Sequence, residues 1–260
     1  MPEGRVLSPA EQAVVSEAKR RFGGALLVEP YQGKARLKAC RWQSLVGFTL
    51  WTCDPPMRAG LAMVNSGAAC TTGFLARSRS DGKLFVMSAG HCADLDGTDT
   101  WYAYQPGTGQ LHAIGPVHNY RYNSTGDFAI LTINNVPGWN PKPWVYVHAS
   151  SDTVGDPDYV ITGDGGSTVG MRVCHTGANY PTDCDDVTAV GVDIPLFPDD
   201  LAMVNFCAFL GDSGGPVYSN GLGRGIFFGE SPSSQNDCHE QLYQGVREAE
   251  IVLNVDVVGG

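Results

Sequence analysis

The chain has 260 residues, of which 33 are glycine and 16 are proline, and 43% are hydrophobic against 17% charged. This length suits one large domain or two small ones, and the hydrophobic content excludes a chain that is disordered throughout. No apolar run approaches the roughly 18 residues that a membrane-spanning helix needs. The formal net charge of −10 argues against a nucleic-acid partner, because binding to phosphates requires a basic surface.

The charge is divided unevenly along the chain. Residues 1–56 contain eight Lys or Arg and five Asp or Glu, whereas residues 57–260 contain nine and 22. A basic segment therefore precedes an acidic body, and opposite charges can attract the one to the other. We predict an N-terminal extension or pro-region remnant over 1–56 and a main domain over 57–260, with a softer division at the polar stretch Ser150–Asp158.

The first predicted element is a helix. Ser8 and Glu11 form a capping box with Pro at the first helical position, and apolar residues recur every four positions up to Phe22. The later apolar runs are short and separated by Gly, Pro, Asn or Asp, which is typical of an all-β sandwich or barrel pair. The runs are Ala25–Val28, Leu45–Trp51, Leu61–Val64, Leu84–Ser88, Phe128–Ile133, Trp144–Val147, Val187–Ile194 and Gly225–Gly229.

The cysteine content indicates disulfides. Eight cysteines occur, and no two of them have the CxxC spacing that is typical of zinc sites. An even number suits a disulfide framework formed in an oxidising compartment, although eight cysteines allow 105 pairings. We therefore expect a secreted, extracellular protein. No apolar signal region follows Met1, so we expect that a leader has been removed.

The stretch Gly211–Pro216, with the sequence GDSGGP, is the most informative motif. A nucleophilic serine needs an exposed hydroxyl on a tight turn whose N–H groups converge, and glycines permit that backbone. The alternative is an ordinary turn between two strands, since Asp, Ser and Gly are turn residues. Ser213 is the candidate nucleophile.

A serine nucleophile needs a base, and the base needs an acid that orients it. His91 in Ser88–Cys92 follows a β-like run and is the candidate base, while a structural histidine is the alternative. Asp127 precedes an apolar strand, where a buried carboxylate needs a partner. Each residue alone is weak evidence. The three motifs occur in the order His91, Asp127, Ser213 along the chain, and together they are much stronger evidence for a catalytic triad.

These motifs resemble the chymotrypsin-like serine proteases, in the bacterial branch of the streptogrisins and α-lytic protease. The resemblance covers about residues 57–260, and 1–56 do not match it. The segments that carry it are Cys70–Phe74, Ser88–Cys92, Asp127–Ile130, Val173–Gly177, Asn205–Cys207, Gly211–Pro216 and Tyr243–Val246.

The resemblance implies an all-β fold of two packed six-stranded antiparallel β-barrels, the first over about 57–150 and the second over about 159–260. It implies that His91 is the general base, that Asp127 orients it and that Ser213 is the nucleophile. The N–H groups of Gly211 and Ser213 would form the oxyanion hole. The implied disulfides are Cys70–Cys92, Cys174–Cys184 and Cys207–Cys238, which leaves Cys40–Cys53.

The substrate-binding strand departs from the family pattern. Where the family has Ser-Gly-Gly, this chain has Phe228, Gly229 and Glu230. With a neutral pocket floor at Asn205, these residues predict a preference for small or medium neutral side chains at the cleaved bond. The family's arginine partner for the buried Asp is also replaced, which leaves either His175 or Arg172 as the candidate partner of Asp212.

The sequence thus predicts a secreted serine endopeptidase that acts through an acyl-enzyme, is monomeric, and has a protein or peptide substrate. We expect no cofactor, no metal, no nucleic acid and no membrane partner. Asp94, Asp96 and Asp99 are interpreted as a solvated loop rather than as a calcium site. The alternative is a catalytically silent homologue that binds a protein through the altered cleft.

Overall fold

The computed structural model describes residues 40–94, 100–147, 158–234 and 237–260, which belong to one compact unit. The predicted helix at 8–22, the strand at 25–28 and the polar stretch at 150–157 lie outside these ranges. No helix within the described ranges has the length and hydropathy needed to cross a bilayer.

The first half of the body is an eight-stranded sheet with the order β19-β5-β6-β9-β8-β7-β3-β4. All of its strand pairs are antiparallel. Its strands are β3 (Ala62–Val64), β4 (Ala69–Thr71), β5 (Leu75–Ser78), β6 (Leu84–Ser88), β7 (Thr100–Gln105), β8 (Gln110–Asn123), β9 (Gly126–Thr132) and β19 (Val255–Val257).

The second half is a seven-stranded sheet with the order β12-β17-β16-β13-β14-β15-β18, in which β17 also pairs with β18. That extra pairing closes six of the strands into a barrel. Its strands are β12 (Gly163–Asp164), β13 (Arg172–His175), β14 (Asp183–Val192), β15 (Leu201–Val204), β16 (Pro216–Ser219), β17 (Leu222–Glu230) and β18 (Gln241–Gly245).

The expectation of two closed six-stranded barrels therefore needs correction. The second barrel is closed, but the first sheet is open, because its edge strands β4 and β19 do not pair with each other in the described part of the chain. The all-β, chymotrypsin-like architecture itself is confirmed.

Few other elements complete the fold. A separate hairpin is made of β1 (Cys40–Leu45) and β2 (Phe48–Cys53), and β10 (Trp144–Val145) pairs with β11 (Tyr159–Val160). The described helices are α1 (Gly90–Asp94), α2 (Val136–Trp139) and α3 (Val246–Leu253). Helix α3 buries Val246, Ala249 and Leu253, at the spacing of one helical face, and it ends where Asn254 adopts a left-handed cap.

Apolar packing joins the two halves. One buried cluster contains Phe74 and Phe128 from the first half together with Tyr218, Ile226 and the buried face of α3 from the second. Each half also has its own core, around Trp101 in the first and Phe206 in the second. The two halves therefore share one apolar core, and each also has a core of its own.

Four disulfides are present, and they are the pairs that were expected. They join Cys40 to Cys53, Cys70 to Cys92, Cys174 to Cys184 and Cys207 to Cys238, and no described cysteine is free. Cys40 and Cys53 face each other in the register of the β1–β2 hairpin, so this bridge closes the hairpin at its open end.

The loop that carries Ser213 lies directly against the backbone of the first sheet. The Thr71 N–H donates to Ser213 O at 2.8 Å, and the Thr71 hydroxyl donates to Gly211 O at 2.8 Å. A Cβ at Gly214 would collide with Ser88 Oγ and would lie 2.7 Å from Thr71 O; the residue also has a φ of +86°. Glycine is therefore required at this position by both space and backbone angle.

We expect Gly214→Ala to lower the free energy of unfolding by at least ~3 kcal/mol, because it adds overpacking to an unfavourable backbone angle. Denaturant unfolding of the disulfide-intact protein measures this. Gly67→Ala is the matched control: a Cβ at Gly67 would meet nothing within 4 Å, so its effect should stay below ~1 kcal/mol. Equal effects of the two changes would contradict the close-contact argument.

Candidate active site

His91 and Asp127 form the centre of the site, and both come from the first sheet. His91 lies in α1 directly after β6, and Asp127 is the second residue of β9, the neighbour of β6. Asp127 Oδ2 lies 2.7 Å from His91 Nδ1, and Oδ1 accepts the His91 backbone N–H at 2.5 Å. The Asp127 side chain is fully buried and that of His91 is about a quarter exposed. The imidazole is thus fixed on one side and open on the other.

Gln244 supports Asp127 from the second barrel. The buried Asp127 N–H donates to Gln244 Oε1 at 2.9 Å, and the Gln244 amide group donates to Glu248 Oε2 at 3.0 Å. Sequence reasoning did not single out this role. Gln244 lies in a segment that resembles the family, but its contact is 117 residues away along the chain, and no local pattern indicates it.

Ser213 lies in the turn between β15 and β16, on the second half of the molecule. The turn is held by Asp212 N–H, which donates to Phe209 O at 2.9 Å, and by Gly214 N–H, which donates to Phe227 O at 2.9 Å. Within the described ranges, the N–H groups of Gly211 and Ser213 have no acceptor, and the Ser213 hydroxyl has no hydrogen bond. Hydrogen bonds of a reactive serine are commonly long in unliganded sites.

Asp212 is held by backbone amides instead of a cation. Its Oδ1 accepts from the N–H groups of Asn179 at 2.6 Å and Tyr180 at 3.1 Å, and its Oδ2 accepts from Phe209 N–H at 2.8 Å. The side chain is fully buried. Burial raises the pKa of Asp212 to about 7, and the three amide hydrogen bonds act in the opposite direction.

Neither candidate partner reaches Asp212. The His175 ring stacks on Phe206 at 5.0 Å between centroids, its Nδ1 lies 3.3 Å from Pro216 O, and burial lowers its pKa to about 3. A neutral imidazole packed among aromatic rings cannot serve as a counterion. Arg172 is exposed and donates to Cys184 O at 2.7 Å, with Asp186 3.4 Å away.

A cavity of about 220 Å³ adjoins Ser213. Glu230 and Asp237 contribute two exposed carboxylates to it, and the buried Gln241 contributes a carboxamide. Gln241 Nε2 donates to His239 O, while Oε1 has no donor within the described part of the chain. The other lining residues are Ala208, Phe209, Leu210, Phe227 and Gly229.

Two residues predicted to line this cavity lie elsewhere. Asn205 does not line it, because its Oδ1 accepts the Glu240 N–H at 3.0 Å. Phe228 points to the other side of His91, with its ring 6.0 Å from the imidazole and 5.1 Å from the ring of Phe197. It lines a second cavity of about 430 Å³ together with Tyr122 and the exposed Leu196. The register shift between Phe227 and Gly229 accounts for this direction.

No group of three or more His, Cys, Asp or Glu residues that could hold a metal occurs within the described ranges. Asp94 accepts a hydrogen bond from the Tyr120 hydroxyl at 3.0 Å. Asp96 and Asp99, the other members of the acidic loop, lie outside the described residues.

Comparisons with known proteins agree with this geometry, although no family model matches the chain. Serine protease 2 of Streptomyces fradiae is 27% identical over 169 residues, which is 64% of this chain and 88% of that protein. Streptogrisin-D of Streptomyces griseus is 25% identical over 252 residues, 94% of this chain and 56% of that protein. The chain thus spans little more than half the length of the latter relative.

Solved structures give the same fold. A glutamic-acid-specific serine protease that uses a histidine triad in substrate binding has a TM-score of 0.64 and 22% identity, over 78% of this chain and all of that one. Thermobifida fusca Protease A has a TM-score of 0.61 and 20% identity, over 78% of this chain and 98% of that one. At these identities the likeness concerns the fold.

The pKa of Asp212 predicts how stability changes with pH. Because the pKa of about 7 in the folded protein exceeds the usual aspartate pKa of 3.8, the unfolded chain loses this proton first as the pH rises. The contribution of Asp212 to the free energy of unfolding should therefore fall between pH 4 and 7, by on the order of 4 kcal/mol.

Urea unfolding of the wild type and of Asp212→Asn at several pH values tests this. The stability of the wild type relative to the variant should decrease as the pH rises, because the variant lacks the titrating group. Asp256→Asn removes an exposed carboxylate and serves as the control. A wild-type advantage that is constant or grows with pH would contradict the prediction.

Proposed function

We propose that this serine endopeptidase, which is similar to the bacterial chymotrypsin-like proteases that include the streptogrisins, hydrolyses peptide bonds through an acyl-enzyme formed on Ser213. The hydrogen-bonded pair of His91 and Asp127, 2.7 Å apart, is the observation that carries this proposal. The N–H groups of Gly211 and Ser213, which have no acceptor among the described residues, are the proposed complementary anion site.

The contacts of Asp127 support different roles for the two imidazole nitrogens. A carboxylate only accepts hydrogen bonds, so His91 Nδ1 carries the proton that faces Asp127 Oδ2. Nε2 then has a free lone pair and takes the Ser213 proton as the hydroxyl oxygen attacks the carbonyl carbon. Asp127 stabilises the imidazolium that forms.

The N–H groups of Gly211 and Ser213 hold the negative charge that develops on the carbonyl oxygen. His91 then gives its proton to the leaving amine, which leaves the acyl group on Ser213. A water molecule, deprotonated by His91, attacks the ester and releases the acid product. No cofactor enters this reaction.

We expect Ser213→Ala to lower kcat by on the order of 10⁶, as triad deletions do in related chemistry. It should also abolish labelling by a serine-directed fluorophosphonate, while thermal unfolding changes little. Ser80→Ala, at an exposed serine in the turn between β5 and β6, should leave labelling unchanged. Absence of labelling in the wild type would favour the silent, protein-binding homologue, and labelling of Ser213→Ala would contradict the assignment of the nucleophile.

The substrate class follows from the cavity beside Ser213. Its charged lining residues are Glu230 and Asp237, both acidic, and the side chain of Gln241 offers a carboxamide oxygen. Apolar walls at Phe227 and Ala208 suit the methylene stem of Lys or Arg. We therefore propose cleavage after basic residues. This replaces the preference for neutral residues, which depended on Asn205 as the pocket floor.

Peptides that differ only at the cleaved residue test this substrate class. The wild type should prefer Lys or Arg over Leu in kcat/KM, and Glu230→Gln combined with Asp237→Asn should lower the value for Lys by about tenfold. The value for Leu should stay within about threefold. A wild-type preference for Leu, or an unchanged Lys-to-Leu ratio in the double variant, would contradict the proposal.

Location and domain limits complete the proposal. Four disulfides favour an oxidising, extracellular compartment, so we propose a secreted, monomeric protein. Residues 57–260 are the proposed protease domain, and 1–56 a permanent extension. Residues 48–53 pack against the rest of the body. This contact supports a permanent extension rather than a dispensable remnant of a pro-region.

A further inference from the structure

The hairpin of β1 and β2 contains none of the motifs that carry the family resemblance, yet β2 contacts the loop that holds Asp212. We propose that β2 positions the Ser213 loop through the peptide unit between Ala178 and Asn179. This inference rests on the proposed function, because it assigns a positioning role in the same reaction.

A single peptide plane connects β2 to Asp212. The Trp51 N–H donates to Ala178 O at 2.6 Å, and the next N–H along the chain, that of Asn179, donates to Asp212 Oδ1 at 2.6 Å. The C=O and N–H of one trans peptide are coplanar and point in opposite directions. Holding the carbonyl in place therefore aims the N–H at the carboxylate.

Side-chain packing holds the same peptide. Leu50 and Ala178 are both completely buried, in one apolar cluster. The Ala178 N–H donates to the Thr71 hydroxyl at 2.9 Å, so this residue is fixed on its amide side as well. Leu50 also approaches the oxyanion turn: a Cβ at Gly211 would lie 3.7 Å from Leu50 Cδ2.

The support from β2 matters because of how the negative charge of Asp212 is compensated. No cation contacts the carboxylate within the described ranges, so its buried charge depends on three N–H groups. Two of them, from Asn179 and Tyr180, belong to the loop that β2 holds. Asp212 stands between Gly211 and Ser213, whose N–H groups form the proposed oxyanion site. A shift of about 1 Å there can cost on the order of 100-fold in rate.

The disulfide between Cys40 and Cys53 ties β2 to β1 next to this contact. Trp51 and Cys53 are two residues apart in β2, and the bridge joins the first residue of the hairpin to its last. The covalent closure therefore keeps the strand that donates the Trp51 N–H in its register. The hairpin functions as a part of the active site that touches no reacting atom.

Leu50→Ala tests the proposal, because it removes packing against Ala178 and leaves every catalytic group intact. We expect kcat for a peptide substrate to fall about tenfold while KM stays within about twofold. Leu253→Ala is the matched control: it creates a similar cavity in α3, in a different cluster, and should leave kcat within twofold. Leu50→Met, which nearly conserves volume, should restore most of kcat.

Hydrogen exchange gives a second readout that does not require activity. In Leu50→Ala the N–H groups of Asn179 and Tyr180 should exchange at least tenfold faster than in the wild type, and those of Leu253→Ala should not. If Leu50→Ala does not fold, Leu50→Val should show smaller changes in the same direction.

The two readouts separate the failure of this inference from that of the proposed function. An inactive wild type would refute the peptidase proposal, and the exchange rates would still test the hairpin. If Leu50→Ala had the same kcat and the same exchange rates as the wild type, the positioning role would be overturned. Equal losses of kcat in Leu50→Ala and Leu253→Ala would also overturn it.

Discussion

The contact between the Ser213 turn and the first sheet is the constraint on which the site depends. His91 and Asp127 belong to one half of the molecule and Ser213 to the other, so their distances depend on how closely the halves approach. Gly214 lets the turn lie against the backbone around Thr71 and Ser88, where any side chain would collide. The Thr71 N–H and hydroxyl then bind two carbonyls of the turn. Because these are backbone contacts, they leave little freedom in the position of the serine.

Two buried carboxylates are stabilised in different ways in this site. Asp127 has the imidazole of His91, a group that becomes cationic when the reaction needs it. Asp212 has only N–H dipoles, and the residue that takes the place of the family's arginine, His175, is an uncharged ring between Phe206 and Phe227. Apolar packing surrounds this ring. Asp212 is compensated by two N–H groups of the 177–180 loop and by the N–H of Phe209, and Gly177 leaves room for the carboxylate.

Short motifs in the sequence single out the candidate residues His91, Asp127 and Ser213, and the structure brings the first two within 2.7 Å of each other. The family resemblance supplied three of the disulfide pairs, with Cys40–Cys53 left as the fourth. Features that depend on strand register could not be predicted. The direction of Phe228 follows from a register shift in β17, and the place of Asn205 follows from its bond to Glu240, 35 residues later. Closure of only one barrel depends on the β17–β18 pairing, which joins strands that each have another partner.

The position of the last strand has a consequence for how the protein is made. β19 returns from the second half to pair with β5, at the edge of the first sheet, and the apolar cluster around α3 contains residues of both halves. None of the disulfides joins the first sheet to the second barrel. The first sheet can therefore acquire its edge strand only after residues 255–257 have been synthesised. The first half cannot complete its fold before the second half has been made, and we expect the two halves to fold together.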